Sequence, residues 1–343
     1  MEDRSNEIFS QYDLKIYRAY RARGGMILET GQGLKFYGPC KGSARRLEFE
    51  DALKQQMKEH GYTRTDGYIR NKENNLISTN SLGEKYCIRD WYELEEGSLK
   101  KEEHILYAAR NLAFLHLVMT DIRMPDNSAV FVEEDLNDCF EKRTKELKRV
   151  GTYLVKRRNK SAFEVKYLNC CKIFYEEAVK AGEQLAKIEV REFCEESILY
   201  GKVLHGSYTY HNVLMPRHLE RSCLMTAEAS GDGIATVNFE KAVFGMQVYD
   251  LYQYLRKVME KNNWNWELGS RVLMAYEEIR ALSTQERKLL HTLLLYPEKF
   301  WKITNYYYNS RKSLIPQKNA EKLDALLLQQ KEKQEFLHRL CQF

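Results

Sequence analysis

The sequence is poor in proline, with five in 343 residues, and it holds no flexible linker, low-complexity tract or internal repeat. No run approaches the roughly 18 consecutive apolar residues that a membrane span needs, so no transmembrane segment is expected. The eight cysteines are scattered apart from the neighbours Cys170 and Cys171. With no C-x-x-C and no His/Cys cluster at zinc spacing, buried reduced thiols are the expectation. The polar, acidic stretch 1–7 argues against an ordinary secretory signal peptide and for synthesis in a cytosol. A strong excess of one charge is also missing. The formal net charge is +5, and basic residues alternate with acidic ones, as in 141–146, which argues against a nucleic-acid surface.

What the chain does have is enough apolar material for two packed lobes or domains: 43% hydrophobic and 12% aromatic residues, with 30% charged residues to keep the outside wet. Its 23 tyrosines pair a large apolar body with a polar tip, which suits half-buried surfaces and protein contacts.

Along the chain, the first third reads as strands and turns. Strands are expected over 17–22, 26–29 and 34–37, punctuated by Gly24-Gly25 and by Gly31-Gln32-Gly33. Ser43 reads as the N-cap of a helix that ends near His60, with Gly61 as its stop. Leu47, Leu53 and Met57 recur on one face of that helix, and Glu50 lies on the same face. Further strands are expected at 67–71, 76–78 and 85–91. After 95–97 helical periodicity takes over, at 99–119, 136–158 and 162–187. A short apolar strand at 202–205 leads into a loop. A hairpin is expected next, from 223–228 through the turn 230–233 to 234–239, and helices then continue to the end. This order predicts an α+β, bilobal, protein-kinase-like fold. Residues 1–91 form a small antiparallel N-lobe with one helix, 92–97 a hinge, and 98–343 a larger, mainly helical C-lobe.

Phosphoryl transfer is mostly positioning and charge neutralisation. It asks for a strand lysine, a helix glutamate to hold it, a loop aspartate with an asparagine five residues on, and a second aspartate for magnesium. Lys35, in 33–37, stands where the strand lysine belongs; as a bare observation, a strand lysine is more often a solvated edge charge. Glu50 is its candidate partner, with Glu48 the alternative, and both have the plain reading of surface acids. The loop His205-Gly206-Ser207-Tyr208-Thr209-Tyr210-His211-Asn212 has the spacing H-x-D-x-x-x-x-N with Ser207 at the aspartate. At the second acidic position, in 235–240, stands Asn238. Asp250, which opens a helix in 248–251, reads as structural, as does His205. The loop's histidine and asparagine also have the plain reading of buried polar groups that hold a turn. His211 reads as an isolated histidine rather than a ligand.

These segments resemble the aminoglycoside-phosphotransferase branch of the protein-kinase-like superfamily, whose pattern is H-G-D-x-x-x-x-N, then I-D-F-[DE], then Y-D-L. The matching residues here are His205-Gly206-Ser207 to Asn212, Val237-Asn238-Phe239-Glu240 and Tyr249-Asp250-Leu251. Within that branch the chain is similar to CotS-type bacterial spore coat proteins, through the run from Arg23 to Lys35, the hinge-like 88–91, and 296–302 with 305–307. A full G-x-G-x-x-G phosphate loop is missing.

The resemblance implies a degenerate site. A serine hydroxyl is not a base near neutral pH, and loss of a positioned base costs on the order of 10²–10⁴ in rate. Asn238 keeps the shape of an aspartate without its charge, and magnesium prefers anionic oxygens. No catalytic set is intact at His205, Ser207, Asn212 and Asn238. Lys35 and Glu50 are expected as a vestigial nucleotide site, and Asn212, Asn238 and Glu240 as weak metal donors, with Asp232 or Glu228 able to supply a carboxylate. No cofactor is required on this reading, and any binding of ATP with Mg²⁺ is weak. The resemblance further implies a spore coat location in a spore-forming bacterium, other coat proteins as partners, and a non-catalytic pseudokinase. Two alternatives stand beside it: an atypical phosphotransferase of the aminoglycoside or choline kinase type, and a nucleotide sensor without turnover.

Overall fold

The computed structural model describes residues 2–125, 129–217, 233–309 and 316–342. By packing, the chain divides into two compact units, Met1–Val132 with Ser197–Asp250, and Glu133–Glu196 with Leu251–Phe343.

The first unit opens with a helix that the composition of the start did not announce, α1 (Glu2–Phe9). Three strands follow, β1 (Ile16–Ala22), β2 (Gly25–Thr30) and β3 (Gly33–Pro39), joined as an antiparallel meander. Gly24 at φ 76° and Gly33 at φ 88° make the turns that residues with a Cβ would strain. The helix α2 (Ala44–Glu59) starts at Ser43, whose side chain accepts from the Arg46 N–H, and Gly61 stops it at φ 92°. Then come β4 (Tyr68–Ile69), β5 (Ser78–Thr79), β6 (Lys85–Asp90), β7 (Glu95–Glu96) and α3 (Glu102–Val118). The sheet order is β1-β2-β3-β6-β4, with β5 also paired to β6.

Side chains on a strand alternate between faces, so the register sorts the sheet into two sides. Leu28, Lys35, Tyr37, Ile88 and Asp90 share one side. There Leu28, Tyr37 and Ile88 pack with Ile8 of α1 and with Tyr12 in one apolar cluster. Ile27, Phe36, Gly38, Cys87 and Arg89 share the other, with Tyr68 of β4 opposite Arg89. That side faces α2, whose Glu50 accepts from the Tyr68 hydroxyl at 2.8 Å.

The remainder of this unit carries β8 (Val203–Leu204), β9 (Val213–Met215), β10 (Ala235–Thr236) and β11 (Val243–Phe244). β9 lies between β10 and β7, and β8 pairs with β11. The first strand of the expected hairpin and residues 230–232 of its turn lie outside the described residues; of the second strand, expected over 234–239, β10 covers Ala235–Thr236, and it pairs with β9.

In the second unit, α4 (Leu136–Lys156) and α5 (Ala162–Leu185) start at Asp135 and at a Ser161/Glu164 capping box. Phe140, Leu147 and Leu154 form the buried stripe of α4 at heptad spacing. Phe163 and Phe174 of α5 stack on Tyr307 at 3.9 Å and Phe300 at 4.5 Å. The chain passes from one unit to the other at 132/133, within α6 (Val190–Leu199) and within α7 (Val248–Lys261), and α8 (Trp266–Glu277), α9 (Thr284–Leu295), α10 (Glu298–Asn309), α11 (Pro316–Leu328) and α12 (Gln330–Leu340) follow in the second unit. No described helix is long and apolar enough to cross a membrane. The tyrosine surplus divides: Tyr167, Tyr208, Tyr254, Tyr276 and Tyr296 are fully buried, whereas Tyr17, Tyr20, Tyr153, Tyr200 and Tyr306 are exposed.

Candidate functional site

The loop 205–212 is held from beneath by Asp250. This buried carboxylate accepts from the backbone N–H of His205 at 2.5 Å and of Gly206 at 2.9 Å, and its Oδ2 lies 3.5 Å from His116 Nε2. Gly206 sits at φ 72°, where an added Cβ would stand 2.1 Å from the Lys241 carbonyl oxygen; only glycine fits. His205 is wholly buried. Its Nε2 lies 3.1 Å from the Val237 carbonyl, which can only accept, and its Nδ1 receives the Ser207 N–H at 3.2 Å. This network assigns the neutral, Nε2-protonated tautomer. Burial lowers the His205 pKa against the opposing pull of Asp250, which agrees with a neutral ring.

Ser207 and Asn238 come together. Ser207 Oγ donates to the Asn238 carbonyl at 3.2 Å, and Asn212 Nδ2 donates to the Ser207 carbonyl at 2.9 Å. The amides of Asn238 and Asn212 approach to 3.5 Å. Asn238 takes the left-handed conformation, φ 69°, which asparagine tolerates better than most residues. The chemical yield of this set is small. The Ser207 hydroxyl lies between the Asn238 carbonyl, at 3.2 Å, and His205 Nδ1, at 3.4 Å, and that nitrogen already accepts the Ser207 N–H.

The expected Lys35–Glu50 ion pair does not form. Period-two alternation turns Lys35 to the α1 side of the sheet, where Nζ meets Asp90 Oδ1 and the Gln32 carbonyl, each at 2.8 Å. Its neighbour Phe36 lies on the other side of β3, with Gly38, the side that faces α2. The Phe36 ring fills the space over Gly25 and Gly38, where added Cβ atoms would come within 2.7 and 2.6 Å of it. Trp91 packs on it at 5.5 Å and the Arg89 guanidinium at 5.3 Å, and Arg23 lies over Trp91 at 5.1 Å.

Glu50, buried to 1% exposure, belongs instead to a chain of charges along α2, while the alternative Glu48 is exposed. Arg46 and Lys54, one turn to either side, lie 3.6 and 3.9 Å from Glu50. Lys54 also pairs with Asp66 at 2.8 Å, and Asp66 with Arg89 at 2.9 Å. Asp66 Oδ2 accepts the Asn238 N–H at 3.1 Å as well, which ties the charge chain to the loop. Burial alone would raise the Asp66 carboxyl, but the charges of Lys54 and Arg89 outweigh it and hold it below the ordinary value. For Glu50 burial wins over Lys54 and Tyr68, and its carboxyl is raised. Arg46 reaches onward to the carbonyls of Phe239 and Ala242, at 3.3 and 2.5 Å.

Asp66, Lys54, Arg89 and Phe36 were not singled out from sequence. Lys54 was open to detection, as the residue four beyond Glu50 on one helix face. Phe36 was not, because which side of β3 meets α2 depends on the sheet register. His211 pairs with Glu96, which also holds Arg23, and Glu240 is exposed. Asp232 and Glu228 lie outside the described residues. Among the described residues no three His, Cys, Asp or Glu side chains converge to hold a metal. Magnesium favours anionic oxygens. At Asn212 and Asn238 the chain offers amides and at Ser207 a hydroxyl, and the adjacent carboxylate, Asp66, is committed to two cations. These donors do not fit an ordinary magnesium–nucleotide site, nor does Phe36 replace a phosphate-binding lysine.

Comparison with known proteins agrees with this architecture. A family model described as "Spore coat putative kinase YutH" matches residues 232–340, about a third of the chain. An aminoglycoside phosphotransferase from Alicyclobacillus acidocaldarius is similar with a TM-score of 0.84 at 17% identity, over 98% of this chain and 95% of that one. The AMP-bound spectinomycin phosphotransferase gives 0.63 at 10% identity, over 96% and 97%. A microcompartment-associated aminopropanol kinase gives 0.60 at 12%, over 98% and 99%. At such identities the likeness is one of fold, the protein-kinase-like fold in its aminoglycoside-phosphotransferase form, with an antiparallel sheet in the N-terminal region and a mainly helical C-terminal part.

Proposed function

We propose that this chain is a spore-coat-associated, kinase-fold protein that works without phosphoryl transfer, through contacts with other coat proteins. The observation that carries the proposal is the paired state of the loop. Ser207 and Asn238 stand side by side, 3.2 Å from Oγ to carbonyl, with neutral groups where a base and a metal ligand would be needed. The Phe36 ring on the α2-facing side of β3 supports the same reading, since a phosphate-binding cation is wanted there. The coat assignment draws on the match to the spore coat family over 232–340 together with the resemblance to CotS-type proteins. No ATP or Mg²⁺ is required in this function.

The test has two arms. Calorimetric titration with ATP and Mg²⁺, and a sensitive ATP-turnover assay, are expected to show neither micromolar affinity nor turnover. In sporulating cells, a tagged chain carrying Asn212→Ala is expected to reach the coat as the unaltered chain does. Turnover by the native sequence would overturn the non-catalytic reading in favour of an atypical phosphotransferase. Mg²⁺-independent nucleotide binding without turnover would favour a sensor, and failure of the native chain to reach the coat would overturn the location.

A further inference from the structure

β1 is the edge of the six-stranded sheet: among the described residues it pairs with β2 alone. Residues 17–21 are all exposed, with Tyr17 at 63%, Tyr20 at 41% and the Arg18 side chain at 71%. An open edge seven residues long is a template for another strand, and charges on it normally discourage pairing. The order of the residues Ile16-Tyr17-Arg18-Ala19-Tyr20-Arg21-Ala22 reverses that effect for one partner. We propose that β1 pairs antiparallel with β1 of a second copy of this chain, about a dyad through Ala19.

The argument is one of register. A two-fold axis makes residues equally far before and after it face each other. With the axis at Ala19, Arg18 meets Tyr20 of the second copy and Tyr20 meets its Arg18, two cross-strand cation–π contacts on one face, while the small Ala19 pair lies at the dyad on the other. Further out, Tyr17 and Arg21 face each other in the same sense. Neighbouring registers lose this: an axis at Arg18 or Arg21 sets arginine against arginine, and an axis at Tyr20 sets both arginines against alanines. Arg18 already lies 5.9 Å from the Tyr20 ring of its own strand, so both side chains occupy one face of the edge. The pairing with β2 shifts between Ile16 and Arg18, so the inner pairs carry the proposal more than Tyr17 does. Because a single pair of strands buries less than a standard interface, the dimer is a weak one. This inference is independent of the proposed coat function and of what the loop binds.

Cysteine cross-linking reads the register directly. In full-length chains, Ala19→Cys places its thiol opposite itself, within disulfide reach in either type of antiparallel pair. Ala22→Cys stands opposite Ile16, far from its own copy. Mild oxidation is followed by peptide mass mapping, which locates each bridge against the unaltered chain. The Ala19→Cys variant is expected to bridge to itself across the dyad at least about tenfold faster than the Ala22→Cys variant does. Sedimentation of the unaltered chain at concentrations on the order of 100 µM is expected to show dimer, weakened about tenfold or more by Arg18→Glu in a chain whose circular dichroism is unchanged. A chain that stays monomeric, equal cross-linking at both positions, or faster self-cross-linking by Arg18→Cys or Tyr20→Cys would overturn the proposal.

Discussion

The two sides of the N-terminal sheet use the same strands for different ends. On the α1 side, Leu28, Tyr37 and Ile88 pack with Ile8 and Tyr12, and the Lys35–Asp90 pair stays in touch with solvent through a half-exposed Asp90. On the α2 side, Arg46, Glu50, Lys54, Asp66 and Arg89 run as a chain of mostly buried charges that reaches the Asn238 backbone. An apolar layer tolerates a charge at its margin, because water completes the solvation. A buried charge chain tolerates no missing member, because each group is stabilised only by the next. The loop therefore has a buried, polar support beside two neutral residues, Ser207 and Asn238.

Substitutions separate the two sides. Asp66→Ala would leave Lys54 and Arg89 facing each other without their carboxylate, and should cost the most, about 3–5 kcal/mol by denaturant unfolding. A loss under about 1 kcal/mol would show that water replaces the carboxylate and that the two sides are alike. Phe36→Ala removes the ring that fills the space over Gly25 and Gly38, with an expected loss of about 3 kcal/mol. If it instead created nucleotide affinity in calorimetry, the ring would be a plug as well as a packing element. Lys35→Met keeps the apolar stem and removes one ion pair to a half-exposed partner. An expected loss below about 1 kcal/mol makes it the mildest of the three, and a larger loss would move Lys35 into the class of Asp66.

Acid sharpens the same contrast. The Asp66 carboxyl is lowered from its ordinary 3.8. Its contribution to stability is therefore complete well above that value and is lost as pH falls through the lower, folded-state pKa. His205 is lowered from 6.5, so its neutral form stabilises the fold above that pH and its share begins to be lost below it. Glu50, raised by burial, works in the opposite sense: its share is present at low pH and is lost as pH rises through its folded-state pKa. Melting temperatures followed from pH 7 to well below 3.8 should decline in two stages, with Asp66→Asn flattening the more acidic one. An unchanged acidic stage in that variant would count against the charge chain as its source.

Much of the architecture was legible in the chain. Ser43 and Gly61 bound α2 as capping chemistry predicts, Glu50 faces inward with Leu53 and Met57, and the spacing from His205 to Asn212 marked the loop that Asp250 supports. These are local signals, set by backbone geometry and by a period read over a few residues. The sequence also determined that serine and asparagine occupy positions where the aminoglycoside-phosphotransferase pattern it resembles carries aspartates. It did not reveal α1, nor that Phe36 rather than Lys35 turns toward α2. Alternation says that the two residues point to opposite sides, but only the pairing of β3 with β2 and β6, and the helix laid on each side, decides which side is which. Tertiary structure alone joined Asp66 to Lys54, Arg89 and Asn238, because residues far apart in sequence become ion partners only when folding removes the water between them.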